Sequence, residues 1–190
     1  MDIRERIFNY RSYTPIPLAI AVIVLAETTI WSFFLGLIVV FLGESIRVWG
    51  VSYAGSATRT TSGAGAEVLV TNGAFAYVRN PLYLGNFILS LGICIMAWAW
   101  MPWMVLLYIA LFAFQYGLII SLEEDYLRKK FAESYEDYYQ NVPRFIPQMK
   151  PYQNRTNITP NIKKALQSEK STFANIVAFS ILILLRRWLF

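Results

Sequence analysis

From Asn80 to Leu122 the chain carries no charged residue, an unbroken run of 43 positions. A water-soluble core built from 190 residues cannot hide such a stretch. A helix crossing the hydrocarbon core of a bilayer needs about 20 apolar residues, so the run holds two crossings and a turn. The turn is readable at Trp100-Met101-Pro102-Trp103. Pro102 suits the first turn of a helix, and the flanking tryptophans suit a membrane–water interface. The pattern predicts one span over 81–100 and the next over 102–122, as a tight antiparallel hairpin. The chain is 56% hydrophobic, 16% aromatic and 15% charged, the opposite of a disordered composition.

Two further apolar stretches precede the hairpin. Ser12 to Ala26 is uncharged, then Glu27-Thr28-Thr29 interrupts, and a longer stretch runs from Ile30 to about Tyr53. Within it, Glu44 and Arg47 stand at i, i+3 and share a helix face. Downstream, Phe173 to Leu185 is apolar and closes at Arg186-Arg187-Trp188; a run this short spans, re-enters or lies in the interface. The expectation is an all-α, polytopic membrane protein with four or five transmembrane helices.

Charge placement gives orientation. Arg4, Arg6 and Arg11 precede the first span, and Arg59 and Arg79 lie in the 54–80 loop. Nine basic residues, Arg128, Lys129, Lys130, Arg144, Lys150, Arg155, Lys163, Lys164 and Lys170, fall in 123–171. The turns near Glu27 and Met101 carry none. With four spans all three basic segments share one side, and the positive-inside rule makes that side cytoplasmic. The net charge of +5 is then explained by topology and anionic lipid, with no nucleic acid as partner. The N-terminal run lacks the small-residue cleavage site of a signal peptide.

Histidine is absent and Cys94 is the single cysteine. Imidazole metal sites, Ser-His-Asp triads and internal disulfides are therefore excluded, and no metal is expected. The hairpin brings Arg79 and Glu123, the first charges at its two ends, to one membrane face. Asn72-Gly73 signals a turn. Asn80-Pro81 offers a helix N-cap with proline at the first helical position, and such a helix start favours an anion. After Glu123 comes an amphipathic stretch in which Leu127, Phe131, Tyr135 and Tyr138 form a helical stripe.

The string LVTNGAFAYVRNPLYLG at 69–85, with EEDYLRKKFAESYEDYYQNVPRFIP at 123–147, resembles the integral-membrane methyltransferases that include isoprenylcysteine carboxyl methyltransferase and the phospholipid N-methyltransferases. The resemblance covers residues 43–147 and divides the chain into a membrane-embedded methyltransferase domain, 1–150, and a polar linker with a C-terminal hydrophobic segment, 151–190. It implies S-adenosylmethionine as cofactor, leaving as S-adenosylhomocysteine, held on the cytoplasmic face. Residue by residue, it implies cofactor contacts from Glu67, Val68, Leu69, Val70, Phe75, Arg79, Asn80, Pro81, Leu82, Tyr83 and Glu123. The catalytic set is Arg79, Tyr83 and Glu123, and Glu44, Arg47 and Glu124 are candidates for the acceptor. The physics agrees: a zwitterionic amino-acid tail wants a carboxylate beside a cation or helix N-terminus, and a sulfonium wants an aromatic face such as Tyr83.

This chain departs from the family pattern at four positions. Asn80 stands where His is common, Phe75 where Tyr is common, and Ile119 where the eukaryotic prenylcysteine enzymes carry a substrate-associated Arg. Ala132 replaces a motif glycine, which reads as a minor change. The acceptor expected is a lipophilic molecule entering from the bilayer, a carboxylate of an isoprenylcysteine-like substrate. A carboxylate is already ionised, whereas a phospholipid amine must lose a proton, and without histidine the base would be Glu44, Glu123, Glu124, a tyrosine or water. N-methylation of a phospholipid amine is the alternative within the class. A small membrane carrier or assembly factor is the alternative outside it. Glu44 and Arg47 have a second reading as a mutual ion pair fixing helix packing, since charge inside a membrane is costly.

Overall fold

A computed structural model describes residues 2–55 and 68–189. Glu67 and Arg59 lie outside the described residues. Among those described there are helices and no strands: α1 (Ile3–Tyr10), α2 (Ile16–Val24), α3 (Ile30–Ala54), a 3₁₀ turn (Gly73–Ala76), α4 (Pro81–Ala97), α5 (Trp103–Asn141), α6 (Ile162–Ser168) and α7 (Lys170–Leu189). Three of them, α3, α5 and α7, are long and apolar enough to cross a membrane, and α4 is a shorter apolar helix.

The 12–26 stretch does not form one spanning helix. Pro15 and Pro17 lack the N–H that a continuous helix needs, so α1 ends before them and α2 has only 9 residues, roughly 13 Å. The two short helices nonetheless run the height of the bundle in succession. Arg4 pairs with Asp125 at 2.6 Å, Thr14 donates to Gln115 Oε1 at 2.7 Å, and Glu27 N–H donates to Ala97 O at 2.9 Å at the opposite end. The last apolar segment is longer than expected, because the polar turn Lys170–Thr172 and the Arg186-Arg187 pair are both helical, extending α7 to 20 residues.

Thr29 and Ser32 form a reciprocal capping box that starts α3. From there α3 packs antiparallel on α4 at backbone contact. Gly36 faces Gly92, and Gly43 faces Gly85. A Cβ on Gly36 would sit 2.5 Å from Gly92 O, and one on Gly43 would sit 2.4 Å from the Leu89 nitrogen. Small residues are what let membrane helices approach this closely. Val40 and Leu89 fill the same seam, in a core that includes Val22, Met96, Met104, Tyr108 and Ile183.

The hairpin turn is longer than the sequence suggested. Trp98 and Trp100 both take left-handed backbone, at φ 51° and 42°, so α4 stops at Ala97 and α5 begins at Trp103. The amphipathic stretch after Glu123 is the same helix as the second span, continuing to Asn141. It is interrupted at Ala132, with φ 44° and ψ −120°, a region open essentially to glycine. The alanine in place of the motif glycine is thus a strained position, not a minor change.

Substituting Gly43→Ala should destabilise the protein by about 1–3 kcal/mol through overpacking, seen as a lower thermal midpoint in detergent. Gly117→Ala, where a Cβ meets nothing within 4 Å, should leave the midpoint unchanged or raise it by under about 1 kcal/mol. Ala132→Gly should raise the midpoint, by about 1 kcal/mol or more, because it releases the positive-φ strain.

Candidate functional site

At the end of the bundle opposite the Ala97–Trp103 turn, four segments converge: the end of α3, the 68–80 segment, the start of α4 and the middle of α5. Gly73, at φ 59°, opens the 3₁₀ turn, and the buried Tyr138 hydroxyl donates to Phe75 O at 2.7 Å. Residues 142–161, the stretch read as a linker from 151 onward, run across this face. Arg79 N–H donates to Pro143 O at 2.9 Å, Gln148 N–H to Tyr77 O at 3.0 Å, Tyr152 N–H to Ala76 O at 2.8 Å, and Asn161 N–H to Ser52 O at 2.8 Å. Thr71 and Thr156 exchange backbone-to-hydroxyl bonds.

The strap is pinned at Asp137, which accepts from the Tyr152 hydroxyl and from Asn154. Those hydrogen bonds hold its carboxyl below the usual range. Burial, then the bond to Asp137, pushes the Tyr152 hydroxyl up to about 12.

Arg79 and Glu123 do reach the same end, but they do not pair. Arg79 Nε meets Glu124 Oε1 at 3.1 Å, both side chains being less than one-tenth exposed. Its Nη1 donates to the carbonyls of Tyr139, at 2.8 Å, and Val142, and its guanidinium stacks on the Tyr139 ring at 4.0 Å. Arg79 therefore closes the C-terminal end of α5 while neutralising Glu124. Arg144 meets the other Glu124 oxygen at 3.1 Å.

Adjacent residues on a helix point about 100° apart, and this separates the two acids. Glu123 turns toward α4, where its Oε1 accepts from the Tyr83 hydroxyl at 2.7 Å. The Tyr83 ring packs on Tyr116 with centroids 5.1 Å apart. Tyr116 stacks on Phe112 at 4.2 Å, and Phe145 from the strap reaches Phe87 and Phe112. The result is an aromatic wall between α4 and α5, with Glu123 at its polar end.

Asn80 occupies the N-cap position and Pro81 the first helical one, but the Asn80 side chain makes no capping bond. It donates instead to Arg144 O at 3.1 Å and toward Glu124. Pro81 is buried, Leu82 abuts Gly50, and Leu69 packs against the cluster of Tyr135, Tyr138 and Tyr152. Val70 and Phe75 are half-buried, whereas Val68 is 57% exposed.

Glu44 and Arg47 belong to a separate buried network. Arg47 Nη2 contacts both oxygens of Glu169 at 2.8 Å, Nη1 bonds Asn86, and Nε lies 3.5 Å from Glu44. Thr172 also donates to Glu169, at 2.6 Å. Sequence reasoning missed Glu169, which sits among lysines in a polar stretch with no periodic signal. It missed the inward role of Phe145 as well, since the Val-Pro-Arg-Phe string reads only as a helix end.

An all-helical bundle with apolar helices long enough to span, and with paired charges and aromatics gathered at one end, is the architecture of a polytopic membrane protein. The chain belongs to the phospholipid methyltransferase family, whose sequence profile matches residues 31–134. It is 40% identical over 81 residues to a protein-S-isoprenylcysteine O-methyltransferase of Schizosaccharomyces pombe, covering 43% of this chain and 34% of that one. It is 32% identical over 133 residues to the Tribolium castaneum protein of the same name, covering 64% and 44%. It is also 29% identical over 128 residues to the cobalt-zinc-cadmium resistance protein CzcN of Cupriavidus metallidurans, covering 67% and 55%. The chain thus spans between a third and just over half of the length of these relatives.

Removing one partner of a buried ion pair costs about 3–5 kcal/mol. Arg79→Ala should therefore lower stability by about 3 kcal/mol or more, read by thermal unfolding in detergent. Arg144→Ala, at the exposed side of the same acid, should cost no more than about 1 kcal/mol.

Proposed function

We propose that the chain is an S-adenosylmethionine-dependent methyltransferase that esterifies the carboxylate of an isoprenylcysteine-like, lipophilic acceptor. The observation that carries this reading is the Glu123 carboxylate, hydrogen-bonded to Tyr83 beside a helix start that the Asn80 side chain leaves uncapped. That donor set fits the cofactor's amino-acid tail. Glu123 would hold the ammonium, and the first-turn N–H groups of α4 would hold the carboxylate. The Tyr83 and Tyr116 rings offer a face to a sulfonium. Leu69, Val70 and Phe75 offer the apolar slot an adenine needs, with Val68 next to it in the chain.

When bound, the cofactor supplies an electrophilic methyl group. The chain's own residues position the reactants and exclude water, the contributions expected where no side chain is consumed. The aromatic wall of Tyr83, Tyr116, Phe112, Phe87 and Phe145 would guide an apolar acceptor from the bilayer toward Glu123. Proton removal is what separates the two acceptor classes. Glu124 is tied by Arg79 and Arg144, and Glu123 is given in this reading to the ammonium, so neither acid is left to serve as the base. An ionised carboxylate needs neither, which favours it over a phospholipid amine. Arg47 and Glu44 tie helices together here, and a contact to the acceptor would come second to that.

The basic residues 128–130, 144, 150, 155, 163, 164 and 170, together with Arg4 and Arg79, belong to the Glu123 end of the chain's path, which we assign to the cytoplasm.

The test is titration calorimetry of S-adenosylmethionine on detergent-purified protein, followed by transfer of a tritiated methyl group. Binding is expected, and Glu123→Gln should weaken it about tenfold or more, in keeping with loss of a charge-assisted contact. Base-labile label on an isoprenylcysteine analogue is the expected product. Base-stable label on phosphatidylethanolamine would replace the carboxylate reading with N-methylation. Absence of binding, or binding indifferent to Glu123→Gln, would overturn the enzyme reading in favour of a carrier or assembly factor.

A further inference from the structure

The opposite end of the bundle carries a second polar feature, independent of the methyltransferase reading. A cavity of about 460 Å³ opens there, lined in part by Leu25, Glu27, Trp100 and Arg186. Small-molecule sites span roughly 300–1,000 Å³. Its walls come from three separate parts of the chain and are fixed to one another. Glu27 N–H is bonded to Ala97 O at 2.9 Å. Arg186 Nε donates to Val24 O at 3.1 Å and Arg187 Nη1 to Thr28 O at 2.9 Å. These bonds hold the end of α7 against the α2–α3 turn and orient the Arg186 guanidinium.

Five of the six tryptophans in the chain gather at this end: Trp31, Trp98, Trp100, Trp103 and Trp188, each at least 40% exposed. Exposed tryptophans collect at the level of lipid headgroups. The cavity therefore lies where a headgroup lies. Its rim carries one acid and one base, with an aromatic ring beside them, which is the complement of a zwitterion. Arginine matches the geometry of a phosphate, and an ammonium is stabilised by a carboxylate together with an indole face.

We propose that this cavity holds the headgroup of a zwitterionic phospholipid, the ammonium beside Glu27 and Trp100 and the phosphate at Arg186. The apolar Val24 and Leu25, both exposed, would then line the start of the acyl chains. Such a lipid would bridge α2, the α4–α5 turn and α7 and act as a fastener at the end remote from Glu123.

Native mass spectrometry of the full chain, titrated with dioleoylphosphatidylcholine or dioleoylphosphatidylglycerol, tests this. Phosphatidylcholine cannot accept a further N-methyl group, so its retention is separate from turnover. The wild type should retain phosphatidylcholine over phosphatidylglycerol by about three- to fivefold, the scale of one partly exposed charge contact. Glu27→Gln, at an exposed side chain, should abolish the preference, and Glu27→Lys should reverse it. Equal retention of the two lipids by the wild type, a preference for phosphatidylglycerol, or a preference unchanged in Glu27→Lys would each overturn the proposal.

Discussion

The backbone contact between α3 and α4 sets the geometry on which everything else rests. Gly36 on Gly92 and Gly43 on Gly85 bring the two helices together without intervening side chains. In a bilayer, apolar side chains gain little by leaving lipid for a neighbour, so close packing supplies the association. The seam also aligns the helices along their length. Leu82 abuts Gly50 and the Arg47 stem abuts Gly85, which fixes the start of α4 beside the end of α3. The Pro81–Tyr83 turn, and with it the hydroxyl that meets Glu123, is placed by that alignment.

Charge buried within this frame is arranged mostly in pairs. Arg47 and Glu169 tie the beginning of α7 to α3 and α4. Arg79 and Glu124 tie the 68–80 segment to the end of α5. Both pairs are enclosed, and each arginine adds further bonds, Arg47 Nη1 to the Asn86 amide and Arg79 Nη1 to two carbonyls, which help to offset the cost of burying charge. Glu123 is the exception. Its Oε1 accepts from the Tyr83 hydroxyl at the polar end of the aromatic wall. Two adjacent acids thus have different partners because the helix turns them to different neighbours.

Much of the fold was legible because bilayer thickness turns apolar run length into helix count. The 43-residue gap in the charges became α4 and the apolar half of α5, although the helix runs on through Glu123-Glu124-Asp125 without a break. The period of Leu127, Phe131, Tyr135 and Tyr138 was a true helical stripe, buried against Ala76 and Val142. What misled was punctuation. Pro15 and Pro17 broke a stretch that hydropathy alone reads as one span. Ala132 looked like a small substitution, because only φ and ψ expose its cost. The polar composition of 151–161 suggested a linker, although its backbone is bonded along the site.

By itself the sequence determined the all-helical membrane class, the hairpin, the gathering of Arg79, Asn80, Tyr83, Glu123 and Glu124 at one end, and the exclusion of histidine chemistry. These follow from composition, run length and periodicity, which act locally along the chain. Only the tertiary structure decided which acid pairs with Arg79, that Glu169 reaches back 122 positions to Arg47, and that Phe145 closes the aromatic wall. Those pairings depend on how helices rotate about their axes and where a returning strap crosses them. Side-chain direction in space is settled by packing between distant segments, and no local pattern records it.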